Sequence, residues 1–346
     1  MFGKMMNNFY YGKSGKGDFR KEDLPTSRRQ LFADTLKTRF SALFRLNLLY
    51  MLVFLPAMIV MLLGFLNTLT TASNLLTVQE NDYAAYQEIM TENGRDATLS
   101  EEKFNEIKNA DINYGDLVES GLFYMLLWLV PCIAITGPFT AGICYVTRNW
   151  ARDEHAFIWS DFKDAVKANW KQSLVLSVIT SLIPLLVYVG WKFYGQMAVN
   201  NPVMMVPQVL VVLIAVIWAI CITYMHPIAV TYELKLKDVI RNGLLLGIAR
   251  LPMSIGIRLL HCVPALIAAA LIWLWNPMIG ALILFGYYFA IGFALSRFVT
   301  ASYTNAVFDR FINPRIEGAK VNQGLRPAED DEDEEDEEDG EGDATN

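Results

Sequence analysis

Six stretches of this chain are mainly apolar over the length of a membrane span: residues 46–69, 122–146, 174–193, 203–225, 251–275 and 278–301. Crossing a hydrocarbon core of about 30 Å takes roughly 20 mainly apolar residues as a helix. Lipid satisfies no backbone polar group, so segments of this length are predicted to span as helices. The pattern predicts an all-α, polytopic membrane protein with a six-helix transmembrane bundle. Ahead of three spans the apolar run gives way to a basic amphipathic pattern. Leu36, Phe40, Leu43 and Phe44 share one helical face, with Lys37 and Arg39 off it. Lys163-Asp164-Ala165-Val166-Lys167-Ala168-Asn169 and Lys237-Asp238-Val239-Ile240-Arg241-Asn242-Gly243 precede the third and fifth spans and echo one another. These runs predict interfacial amphipathic helices and suggest three hairpins in one orientation.

The polar segments divide by charge. Residues 1–45, 148–171, 235–250 and 297–346 hold twenty-four Lys and Arg together, whereas the alternate segments hold four. Such a bias places both termini in the cytoplasm of a multi-pass plasma-membrane protein. The expected organisation is a basic cytoplasmic N-terminus (1–45), a six-span domain (46–301) and a cytoplasmic, acidic, disordered tail (302–346). Residues 70–119 form an acidic extracytoplasmic loop inside that domain, in which 82–90 and 101–110 look helical and Asn93-Gly94 divides them. No cleavable leader is expected, since the first span can serve as its own insertion signal.

Composition agrees, with 53% hydrophobic and 19% charged residues. The net charge of -7 reflects the acidic run from Glu329 to Glu341, which reads as a solvated, disordered tail. Cys132, Cys144, Cys221 and Cys262 all fall in spans with no metal-ligand spacing, so they are expected to act as small apolar filler. No nucleotide loop, metal-binding helix or nucleophile motif occurs. The chain therefore reads as a non-enzyme without a cofactor. Its basic N-terminus is better suited to a lipid surface than to nucleic acid.

Polar residues within spans are the candidates for function. Ser254, Arg258 and His261 are spaced to share one face of the fifth span, with Arg258 about 10 Å and His261 about 15 Å from its start. This face could hold an anionic group or pass a proton; equally, Arg258 could reach the headgroups while His261 bonds a neighbouring helix. Arg45 and Arg297 are expected as interfacial anchors. Pro131 and Gly137-Pro138 are expected to kink the second span. Ahead of the third span, Phe162, Val166 and Trp170 form an apolar side beside Lys163, Lys167 and Lys171, a surface suited to headgroups or to a partner's helix.

One stretch carries a resemblance. Residues 136–172 read Thr-Gly-Pro-Phe-Thr-Ala-Gly, then Tyr-Val-Thr-Arg, a charged turn, Trp-Ser-Asp-Phe and Asn-Trp-Lys-Gln. Together with the Asn-Leu-Leu-Tyr entry at Asn47 to Tyr50, they resemble the YesL-like family of bacterial integral membrane proteins. The resemblance implies no assigned biochemical activity and no catalytic residues. It implies an accessory role beside carbohydrate-uptake systems, with the bilayer and a sugar-uptake membrane complex as partners. The alternative is a small-solute transporter built on the kinked second span and the Arg258–His261 face.

Overall fold

The computed structural model describes residues 24–94 and 99–326. Among these residues there is no strand. Ten α-helices follow one another: α1 (Arg28–Glu80), α2 (Tyr83–Glu92), α3 (Glu101–Asn109), α4 (Tyr114–Trp150), α5 (Ser160–Asn200), α6 (Met205–Thr231), α7 (Leu236–Ala249), α8 (Leu251–Leu274), α9 (Pro277–Tyr287) and α10 (Phe293–Phe311). Six helical stretches are long and apolar enough to cross a membrane, the last made of α9, a π-helical turn (Tyr288–Gly292) and α10. In each, less than a quarter of the most apolar window is buried inside the protein. Side chains such as Leu62, Phe65, Leu213, Leu259 and Leu282 point outward, an arrangement that lipid tolerates and water does not.

The expected interfacial helices take two forms. The amphipathic runs before the first and third spans are simply the opening turns of α1 and α5. Only the run before the fifth span is a helix of its own, α7. It ends at Arg250, whose φ of -115° and ψ of 30° leave the helical region, and Pro252 opens α8. Residues 70–80, expected in the outer loop, still belong to α1. Beyond them Asp82 and Ser100 cap α2 and α3 by accepting from Ala85 N and Lys103 N. Val78, Tyr86, Met90 and Phe104 give this pair its own small core.

The sixth span was expected to stop at Ala301, with a disordered tail from residue 302. Helix α10 instead runs on to Phe311, because Val307 and Phe308 continue its apolar face into the core. Residues 312–326 follow it, with Asn313 buried and Arg326 N donating to Pro25 O at 3.0 Å. The acidic run from Glu329 and residues 1–23 lie outside the described residues.

The described chain forms two compact units. One comprises residues 24–53, 137–176 and 217–326; the other comprises 54–136 and 177–216. The first holds the main core. Leu43, Leu46 and Tyr50 of α1 pack with Ile143, Val146 and Trp150 of α4 and with Ala294 and Phe298 of α10. A second cluster joins Tyr224, Met225 and Ile228 of α6 to Val239 of α7 and Phe308 of α10. Gly247 lets α7 lie against α6, since a Cβ there would fall 2.5 Å from Cys221 Sγ. The other unit holds the α2–α3 core and an ion pair between Glu119 and Lys192.

Candidate functional site

Helix α4 is α-helical without interruption from Tyr114 to Trp150, so Pro131 and Gly137-Pro138 do not divide it. The backbone irregularity of the spans lies elsewhere, in the π turn Tyr288–Gly292. A π turn widens the helix by one residue and leaves carbonyls without their usual intrahelical donors. Asn47 of α1 meets that need. Its Nδ2 donates to Tyr288 O at 2.9 Å and to Phe289 O at 2.8 Å, while its Oδ1 accepts from Ala294 N at 3.0 Å. Asn47 is wholly buried. The Asn-Leu-Leu-Tyr entry thus has a structural task at Asn47.

The three polar residues of α8 separate in their roles. Ser254 is buried and shares a hydrogen bond with Tyr224 of α6 at 2.6 Å; Tyr224 also bonds Tyr303 of α10 at 2.8 Å. His261 Nε2 lies 3.1 Å from Ser296 O and 3.4 Å from Thr300 Oγ1, both on α10. A carbonyl only accepts, so this contact selects the Nε2–H form of the ring. Arg258, between these two, has a buried Nε with no hydrogen-bond partner.

These bonds align three helices at one level. Tyr224–Ser254 ties α6 to α8, and His261–Ser296 ties α8 to α10. His226 lies two residues beyond Tyr224 on α6, and Arg297 directly follows Ser296 on α10. His226 is 4% exposed and its Nδ1 has no partner. Arg297, expected as an interfacial anchor, is instead half-buried beside Tyr50, whose hydroxyl also bonds Thr140 at 2.8 Å. Among the described residues neither Arg258 nor Arg297 is ion-paired. Sequence spacing found Arg258 and His261 because they share one helix. It missed His226, Arg297 and Tyr50, which lie on three others. The apolar face of α10 beyond Ala301 was the available signal that Arg297 sits well inside its helix.

The surface expected ahead of the third span is only partly exposed. Phe162 is 3% exposed and Val166 half-buried; both point into α4, where a Cβ on Gly142 would lie 2.8 Å from the Phe162 ring. The α5 periodicity puts these two on the core side and leaves Lys163, Lys167, Trp170 and Lys171 outward. Trp159 joins them at 65% exposed, at the mouth of an apolar recess of about 290 Å³ lined also by Leu49, Leu52 and Phe139.

The charged exit and turn after α4 hold the fold together. Arg148 donates to Val230 O at 3.1 Å and lies 3.8 Å from Glu154. Arg152 donates to Gln323 at 2.5 Å, and Arg28 bridges Asp309 and Asn322, each at 2.7 Å. Asp153 turns the chain with φ of 57°. Just beyond α6, burial pushes the Tyr232 phenol above its usual range while it donates to Asn313 at 2.6 Å.

Comparison with known proteins bears on this same stretch. No solved structure matches the chain. YesV of Bacillus subtilis (strain 168), described as an uncharacterized protein, is 25% identical over 144 residues, covering 41% of this chain and 68% of the relative. Residues 120–191 match the model of a family described as a protein of unknown function, DUF624. That match encloses α4 from Ser120, the charged turn and most of α5, including residues 136–172 on which the YesL-like resemblance rests, so the chain is similar there to proteins whose function is itself unassigned.

Proposed function

We propose that this protein is a non-enzymatic accessory of a carbohydrate-uptake complex in the bacterial plasma membrane, with both termini in the cytoplasm. The Lys/Arg asymmetry supports the orientation, and the resemblance supports the accessory role. The observation that carries the reading is the exposed side of the first turns of α5. Lys163, Lys167, Trp170 and Lys171, with Trp159 in the turn just before them, stand on a helix whose opposite side is locked into the core by Phe162 and Val166. A rigid helix bearing aromatic anchors and cations beside an apolar recess suits an amphipathic helix of a partner subunit with acidic residues along its polar edge. The working pair on this surface is Trp159 and Trp170, because Phe162 is occupied in the core.

Affinity purification in mild detergent from the native host tests this. Recovery of sugar-uptake subunits with the parent protein, reduced by Trp159→Ser with Trp170→Ser and unchanged by Arg258→Gln, is the expected result. Equal recovery from the doubly substituted protein would end the accessory reading.

A second reading, a small-solute transporter, is favoured by the buried, unpartnered Arg258 Nε and His226 Nδ1 within the spans. Solute uptake into proteoliposomes that is lost in Arg258→Gln and kept in the double Trp variant would select it.

A further inference from the structure

We propose that the recess beside the start of α5 binds one anionic phospholipid, with an acyl chain lying in the recess and the phosphate held at Lys163. The recess, about 290 Å³ in volume, brings together Leu49, Leu52 and Val53 of α1, Phe139 of α4, and Trp159 and Lys163. Lys163 is the one charged residue of its lining. The α1 and α4 residues belong to apolar stretches that qualify as spans, so the recess opens on lipid. It does not stay empty there. A void forfeits dispersion contacts along its lining, and water finds no partners on apolar walls. An acyl chain is the flexible apolar material at hand. The cation then selects among lipids: a lysine at this level, not ion-paired among the described residues, is favoured by an anionic headgroup.

Packing holds the walls in place. Tyr50 and Thr140, next in the chain to Leu49 and Phe139, share a hydrogen bond of 2.8 Å that fixes α1 against α4. Phe139 stacks on Phe162 with ring centroids 6.5 Å apart, and Phe162 fills the notch at Gly142. Lys163 N donates to Trp159 O at 3.0 Å, so indole and ammonium stand one turn apart on the same side. Amphipathic rings and long cations are the side chains that anchor at headgroups. Of the carboxylates near Lys163 in sequence, Asp161 accepts from Phe157 N at 2.8 Å and from Ser160 Oγ at 3.1 Å, and Asp164 is displaced about 100° round the helix. An acyl chain gains no hydrophobic energy by leaving the bilayer for the recess, so retention depends on the fixed walls and on the charge. The inference shares Trp159 with the accessory reading and does not depend on a partner protein.

The test uses the purified full-length protein in mixed micelles containing phosphatidylglycerol or phosphatidylcholine with matched acyl chains. Native mass spectrometry counts the lipid retained per chain, and thermal melting reports the stabilisation that binding brings. The parent should retain phosphatidylglycerol over phosphatidylcholine by about fivefold, the worth of one lysine near an anionic headgroup. Lys163→Gln should remove that preference, and Lys163→Arg should keep it. Val53→Phe, which fills the recess, should lower retention of both lipids. Lys237→Gln, on the exposed side of α7, should change nothing. If Val53→Phe does not fold, Leu52→Trp and Lys163→Gln carry the same comparison. A parent without headgroup preference overturns the proposal, as does parent-like retention in Lys163→Gln and the filled variant. An equal loss in Lys237→Gln would show attraction to the whole basic surface and also overturns it. So would a filled variant that loses a partner subunit yet keeps its phosphatidylglycerol, because a protein side chain would then own the recess. Retention is read on the purified chain and partner recovery on the complex, so this inference and the accessory reading fail separately.

Discussion

Asn47→Ala is the most informative single change outside the polar cluster. It deletes three hydrogen bonds at once, to Tyr288 O, Phe289 O and Ala294 N, from a residue with no solvent access. Hydrogen bonds between membrane helices average roughly 0.6 kcal/mol and reach about 1.7, so the loss should be about 2 kcal/mol and at most about 5. At roughly 2 °C per kcal/mol for a long chain, the melting temperature should fall by about 4 °C or more. Asn47→Leu should do no better, since it fills the space but leaves the π-turn carbonyls without donors. Asn47→Asp should be worse at neutral pH, because it would set a carboxylate against two carbonyl oxygens. Size-exclusion profiles after graded heating in detergent would rank the three variants. If Asn47→Ala melts within about 1 °C of the parent, or Asn47→Asp matches it, then Asn47 does not support the π turn.

Other substitutions separate core from surface. Phe162→Ser should cost about 3–5 kcal/mol by emptying a packed site against Gly142, whereas exposed Trp159→Ser should stay within about 0.5 kcal/mol; melting of the two variants checks the contrast. Gly247→Ala should destabilise by about 1–3 kcal/mol, since its Cβ would lie 3.1 Å from Cys221 Cα, a backbone atom that cannot rotate away; unchanged melting would show that α7 shifts freely. For topology, impermeant thiol labelling of intact cells should reach a cysteine at exposed Asn93 and spare one at exposed Glu317; the opposite pattern reverses the orientation.

The all-α class, the six spans and the helical pair in 82–110 follow from local properties: the length of an apolar run, the period of its faces, and caps such as Asp82 and Ser100. These do not depend on what the chain meets later, so they are legible in the sequence. Ser254, Arg258 and His261 were recognisable as one face for the same reason. Tertiary structure decided what that face does. Ser254 meets Tyr224 and His261 meets Ser296 only because packing sets the register of α6, α8 and α10, and register between helices separated by tens of residues leaves no local signature. Phe162 and Trp170 look alike on a helical wheel, yet the notch at Gly142 draws the first inward and leaves the second outside. Pro131 and Pro138 lie within α4, which runs as one helix from Tyr114 to Trp150. The π turn at Tyr288–Gly292 carries no proline, and it persists where Asn47, more than two hundred residues earlier in the chain, supplies donors for its carbonyls.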